Sequence, residues 1–393
     1  MEQTKIEINL DSNQNKSPSY AYKLGHQKDL SILELKQFDK SENEYKMDDQ
    51  WYLSDSNIDI EALGGTVFKV KVVASFEKNE SKDFIFDQLK KQIQIFGLDH
   101  NIKKTGLYTQ IDFRNEFVIP ELKSVGVKKV QILKKGTLPN FGHWKSTNNW
   151  FVIFYAGAKI NLGYINQYTD QNNWSYLDSN MPFNDMRRGI INLKLGRTLV
   201  NFSTSKTLWD PFCGQSRLLM TAYDRERLFG SDKDQIVITE SKQNIEFGAK
   251  TRGPWQMSES LNNISLFQFD VYKDSVTKIL KEYHIDQEFC IVTEGYLGPR
   301  VNQTPNIETQ TKTMDLISEI WNRFFKSLES TKCTEIVFCL PIANDFDHQE
   351  QLDLYFDRLN MSKFKLDQNF KKALVYARPK TKIGHLILKV TKS

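Results

Sequence analysis

The chain has 393 residues, is 39% hydrophobic and 26% charged, and carries a formal net charge of +4 with four cysteines. This is the balance of a soluble globular protein of two or three domains with ample core, not of a disordered chain or a disulfide scaffold. The small positive surplus permits nucleic-acid binding without requiring it.

Residues 1–18 are polar and carry acids, so a disordered tail is expected there rather than a signal peptide. A short alternating strand is expected from Ser19 to Leu24. Asp29 or Ser31 would cap a following helix that contains Leu33 and Leu35. Gly64-Gly65 turns into a strand in which Phe68, Val70 and Val72 alternate with Lys69 and Lys71. Asp83 to Phe96 has helical spacing, and Tyr108–Phe113, Val130–Lys134 and Asn149–Ala156 read as strands. Residues 19–169 are therefore expected to be α+β. Their lysines (Lys103, Lys104, Lys123, Lys128, Lys129, Lys134, Lys135 and Lys145) suit either phosphate contact or a solvated face. The most apolar longer run, Phe151 to Ile165, is broken by Lys159 and Asn161 and is too short to span a bilayer, so no membrane contact is expected.

Residues 170–184 are polar and read as a linker, placing the domain boundary there. A helix with an apolar side of Leu195, Leu199 and Val200 should follow. From Thr207 onward strands and helices alternate, with strands expected at 207–210, 227–231, 265–269, 288–293, 334–340, 373–377 and 385–390. Such alternation implies a parallel sheet covered on both faces, and the last two strands are close enough for a terminal antiparallel hairpin. Cys213, Cys290, Cys333 and Cys339 form no Cys-x-x-Cys pair. Reduced thiols and a cytoplasmic location are the natural reading, with no zinc site. The scattered histidines, His385 among them, suggest no metal or catalytic role.

Chemistry is expected at the strand ends. Asp210-Pro211-Phe212-Cys213-Gly214 closes the first strand of the second half. Gly214 would let the backbone pass close to a ligand, and no Gly-Lys-Ser/Thr makes a polyphosphate cradle. An adenosine-bearing cofactor without a polyphosphate fits, and S-adenosylmethionine is one. Asp232, Asp270 and Glu294 follow at the ends of the next three strands. Asp232 could accept the ribose hydroxyls and Asp270 the adenine amino group, while the first turn holds the methionine portion. A structural acid at Asp210 and a helix cap at Asp270 are the plainer alternatives.

The order of these motifs resembles the THUMP-containing tRNA guanosine-N2 methyltransferases and related RNA methylases. The resemblance covers most of the chain. Asp185 to Asn201 is similar to the segment before the cofactor strand, with Arg187 and Arg188 open to RNA or to solvent. Asp210 to Gly214 is similar to the cofactor turn, Gly230-Ser231-Asp232 with Asn244 to the ribose-binding acid and its helix, and Thr293-Glu294-Gly295-Tyr296-Leu297-Gly298-Pro299 to the catalytic loop. Tyr376-Ala377-Arg378-Pro379 with Ile383-Gly384 is similar to the closing hairpin. Leu30 to Leu35 and Leu63 to Thr66 resemble the RNA-binding half more weakly.

The resemblance implies a Rossmann-like methyltransferase domain over 185–393, preceded by a THUMP-like RNA-binding region. It implies S-adenosylmethionine as cofactor, held by Asp210, Phe212, Gly214, Asp232 and Asp270, with Glu294 and Tyr296 catalytic. It implies tRNA as substrate, with methylation of a guanosine N2 amine, and it admits a small activating protein subunit, as in eukaryotic relatives. Methylation of another amine, such as adenine N6, and a non-catalytic RNA-binding or scaffolding homologue are the competing readings.

Three departures stand out. Gln215-Ser216-Arg217 replaces the usual Ser-Gly-Thr, placing a bulky cation beside the methionine position. Gly295 replaces a proline. Ile236-Val237-Ile238-Thr239 is β-rich where a helix is expected, and a strand there would make Glu240 the ribose acid instead of Asp232.

Overall fold

The computed structural model describes residues 17–45, 50–100, 104–111, 115–133, 137, 139–147, 149–185, 190–251, 264–299, 306–378 and 381–393. Most of the expected tail, the ends of two expected strands, Lys103, Lys134, Lys135, Arg187, Arg188 and Pro379 lie outside these residues. The chain forms two compact units. One comprises residues 1–28, 38–60 and 66–170, and the other residues 29–37, 61–65 and 171–393.

The first unit is built on a seven-stranded sheet. Its elements in chain order are β1 (Tyr20–Leu24), β2 (Trp51–Ser54), β3 (Thr66–Glu77), α2 (Lys82–His100), β4 (Lys104–Thr109), α3 (Asn115–Ser124), β5 (Lys129–Ile132), α4 (Phe141–Thr147), β6 (Trp150–Ala156) and β7 (Lys159–Tyr168); α1 (Lys28–Phe38) falls largely in the second unit. The strand order is β2-β1-β3-β7-β6-β4-β5, antiparallel except at β6-β4-β5. Period-2 alternation sorts the core. Phe151 and Ile153 of β6 pack with Phe86 and Leu89 of α2, while Val152 and Phe154 pack on the opposite side with Trp51. The apolar run through Ile165 is therefore the β6–β7 hairpin, turned at Gly157 with φ +59°.

The stretch expected as a linker contains α5 (Gln171–Asn180). Its polar composition hides the pair that anchors it, Trp174 and Leu177, one turn apart and both buried. Next come α6 (Leu193–Asn201), β8 (Thr207–Asp210), α7 (Arg217–Met220), β9 (Arg227–Asp232), α8 (Gln235–Lys250), β10 (Ser265–Gln268), α9 (Val276–Glu282), β11 (Phe289–Thr293), α10 (Ile307–Leu328), β12 (Cys333–Ala343), α11 (His348–Phe356), β13 (Phe364–Leu366), β14 (Leu374–Tyr376) and β15 (Ile383–Lys392).

The strand order is β10-β9-β8-β11-β12-β15-β13, with β14 also on β15. β10 through β12 are parallel, and β15 pairs antiparallel with β12, β13 and β14. This is a Rossmann-like sheet with a C-terminal antiparallel hairpin. Both faces are covered. Leu208, Cys290 and Val337 face α6, α7 and α8, while Trp209, Ile291 and Phe338 face α9, α10 and α11. Side chains on both faces are apolar, which is why these strands are continuous apolar runs in the sequence. The order reverses between β8 and β11. That switch point opens a crevice beyond the strand ends, where open α/β sheets take ligands.

Candidate functional site

A cavity of about 370 Å³ lies at this switch point. Asp210, Phe212, Gly214, Asp232, Asp270, Glu294 and Tyr296 all line it. It is within the size range of small-molecule sites. The expected ends of the four strands that carry the acids hold to within a residue, and this is what puts the acids on one rim.

Asp210 is the last residue of β8 and is 2% exposed. It accepts from the Phe212 backbone N–H at 3.1 Å and is hydrogen-bonded by Thr293. Burial raises its pKa to about 7, the two hydrogen bonds offset only part of this, and the nearby charges of Glu294 and Asp232 add to the rise. Among the described residues no basic side chain pairs with it.

Asp232 closes β9 and reaches back to the turn that follows β8. Its Oδ2 accepts from Gly214 N at 3.2 Å and its Oδ1 from Asp234 N at 3.0 Å. Burial pushes its pKa up, and the two backbone N–H groups only partly counter this. Each oxygen keeps a free lone pair for a ligand hydroxyl. Asp234 caps α8 by accepting from Ile236 N. The β-rich Ile236–Thr239 is thus the first turn of a helix, and Glu240 sits inside that helix. Helix packing overrides local β-propensity here: Val237 and Ile238 are buried on the helix's inner face. Asn244 is fully buried, accepting from Phe183 N and donating to the carbonyls of Phe183 and Gln215. It therefore braces the turn.

Gly214 has φ +49°, and a Cβ built there meets nothing within 4 Å. Arg217 does not stand free in the site. Its guanidinium donates to Ile191 O at 2.9 Å and pairs with Asp178 of α5. Gln215 likewise turns to Glu240, at 2.9 Å. Phe212 packs edge-on against Phe324 and tilted on Trp321 of α10.

Asp270 accepts from Tyr272 N at 2.9 Å, and its own N–H donates to Asp274. This turn presents Tyr272, 41% exposed, to the cavity, with the Arg323 guanidinium 4.8 Å from its ring centroid. Tyr296 is similarly exposed, at 38%. Gly295, between Glu294 and Tyr296, has φ +73°. Proline, fixed near −65°, cannot take that conformation, so glycine here sets a different loop path rather than merely loosening a rigid one.

Sequence reasoning overlooked Tyr272 and Lys233, which line the cavity, and His385. Tyr272 lies two residues after an acid at a strand end, a signal that was available. His385 of β15 lies 2.7 Å from Glu294 Oε1 through its Nε2. The two residues are 91 positions apart, and no local pattern links them. All four cysteines are buried free thiols, and the described residues contain no cluster able to hold a metal ion. No described helix is long and apolar enough to cross a membrane.

No protein-family model matches the chain, and no curated protein sequence does. Similar solved structures include TrmN from Thermus thermophilus, 11% identical with a TM-score of 0.48, over 95% of this chain and 99% of that one. SMU.472 in complex with SAH is 10% identical with a TM-score of 0.45, over 96% and 99%. P. horikoshii TYW2 in complex with MeSAdo is 12% identical with a TM-score of 0.33, over 54% and 67%. At these scores the fold assignment rests on strand order and site geometry, not on superposition.

Proposed function

We propose that the protein is an S-adenosylmethionine-dependent methyltransferase acting on an exocyclic amine of RNA, with guanosine N2 in tRNA as the target. The observation that carries this reading is Asp210, a buried carboxylate at the switch point without a cationic partner among the described residues, on a cavity whose other acids are Asp232, Asp270 and Glu294. Such a rim favours a ligand that brings positive charge and hydroxyl groups. The residues fit the cofactor. Asp232 has free lone pairs for a ribose diol, the space above Gly214 is clear, and Asp270 and Tyr272 offer an acceptor and a flat face for an adenine. When bound, the cofactor supplies an electrophilic methyl group.

The chain's own part is positioning. An aryl amine has its lone pair conjugated into the ring. Glu294, accepting an amine N–H, turns that lone pair out of conjugation and receives the proton the amine sheds on methylation. Tyr296 supplies a stacking wall for an unpaired base. The ordered motifs of the sequence and the lysines of the THUMP-like first unit support RNA, and tRNA in particular, as the substrate.

Full-length protein, tRNA and isotope-labelled cofactor, read by nucleoside mass spectrometry, test the reading. Labelled N2-methylguanosine is expected. Glu294→Ala should lower transfer by about 10³-fold with cofactor affinity held within about twofold, since loss of a group acting on the reacting atoms typically costs ~10²–10³. Unchanged transfer would remove Glu294 from the mechanism. Labelled N6-methyladenosine would replace guanosine by adenosine, and tight cofactor binding without transfer to RNA would establish a non-catalytic homologue.

A further inference from the structure

We infer that His385 is a positioning residue for Glu294, fixing one carboxylate oxygen so that the other is presented to the amine of the substrate; this rests on the functional reading above. Glu294 has three rotatable side-chain bonds and stands on a loop next to Gly295, whose backbone is left-handed. Such a side chain does not hold one direction by itself. His385 stands on firmer ground. It lies within β15, flanked by Pro341 of β12 on one side and Tyr376 of β14 on the other. The Tyr376 ring meets the imidazole edge-on, with centroids 5.8 Å apart, and restricts its rotation.

The imidazole Nε2 lies 2.7 Å from Glu294 Oε1, and both side chains are more than four-fifths buried. A carboxylate is acceptor-only, so the proton of this contact sits on Nε2. Oε2 has no hydrogen-bond partner among the described residues, and Glu294 lines the cavity. One oxygen is thus occupied by a strand-borne donor and the other is left for the substrate. This is the arrangement expected of a group whose direction matters, because a displacement of about 1 Å at a reacting centre can cost ~10²-fold in rate. The Glu294 charge is felt in turn by Asp210, Arg217 and Cys339.

Two variants separate positioning from packing. His385→Phe keeps an aromatic ring without the donor, and His385→Gln places an amide N–H close to the position of Nε2. In methyl transfer to tRNA by the full-length protein, His385→Phe should lower kcat about 10–100-fold with KM and cofactor Kd within about twofold, and His385→Gln should recover most of that loss. Thermal melting of both variants shows whether they fold. A wild-type kcat in His385→Phe overturns the inference. So does an equal loss in both folded variants, or a change confined to KM.

A second readout needs no turnover. In cofactor-free protein with 15N-labelled histidine, the His385 imidazole should show the Nε2–H tautomer, and its signal should move on Glu294→Gln. A signal unmoved by that substitution overturns the contact. A wild type that binds S-adenosylmethionine and shows the contact, yet transfers no methyl to RNA, refutes the functional reading and the inference with it. Transfer that is indifferent to His385 refutes the inference alone.

Discussion

Two carboxylates, one in each unit, show how burial can serve opposite ends. In the first unit Asp39 accepts from Tyr52 Oη at 2.8 Å, Ser54 Oγ at 2.7 Å, Ser56 Oγ at 2.7 Å and Ser41 N at 2.8 Å. Burial pushes its pKa up, but the donors outweigh burial and the net shift is downward. In the second unit Asp210 is more deeply buried and has fewer donors, Phe212 N and Thr293, so burial wins and its pKa rises to about 7. A saturated acid is part of the scaffold. An acid left short of partners on a cavity wall is available to a ligand.

The largest effect should come from the saturated acid. Asp39→Ala strands three hydroxyl groups and one backbone N–H. With each hydrogen bond worth ~1 kcal/mol, about 4 kcal/mol of stability should be lost, visible in urea unfolding. Affinity for S-adenosylmethionine in calorimetry should stay within about twofold of wild type. A parallel fall in affinity would erase the distinction between the two acids.

Asp210→Asn should do the reverse, lowering S-adenosylmethionine affinity about tenfold while sparing stability near neutral pH. The pH dependence has a definite sign. A carboxyl whose pKa rises on folding, from 3.8 to about 7, stabilises the fold fully below 3.8 and loses that contribution as pH rises through 7. Between pH 5.5 and 8 this group alone should remove about 2 kcal/mol from the wild type, and Asn should flatten that part of the curve. Asp39, shifted downward, contributes stability above its unfolded pKa and loses it as pH falls, so Asp39→Ala, besides lowering the whole curve, should change its slope only on the acid limb. Identical pH profiles for wild type and Asp210→Asn would show that Asp210 is not the strained member of the pair.

The same physics explains what could be seen in the sequence. Parallel strands buried on both faces are unbroken apolar runs, so Thr207–Asp210 and Phe289–Thr293 and the acids that close them were visible without coordinates. Elements anchored by few residues were not. α5 is polar apart from Trp174 and Leu177, β2 is four residues long, and β7 merged with β6 into one apolar stretch. At the site, acids at strand ends could be placed because chain order fixes sheet order. His385 could not, because its approach to Glu294 depends on the antiparallel register of β15 on β12, which no local pattern sets. Gly295 was visible as a residue but not as a conformation, and only its φ of +73° shows why proline is absent.

The smallest effect concerns the turn that joins Asp210 to its cavity. Ser216 sits in the left-handed region, with φ 59° and ψ 26°, at a place where glycine is usual in the family the chain resembles. Its Oγ is fully buried, has no nitrogen or oxygen partner among the described residues and faces only the weakly accepting Cys213 sulfur there. Ser216→Gly should relieve both the left-handed backbone, worth ~1 kcal/mol, and the desolvated hydroxyl, worth another ~1 kcal/mol, against an entropic cost of ~0.7 kcal/mol for the freer unfolded chain. The net expectation is about 1 kcal/mol of added stability, or about 1 °C in Tm. A lower Tm would mean that the serine side chain holds the turn in shape, and that this wall of the cavity, like the cluster around Asp39, is saturated rather than short of partners.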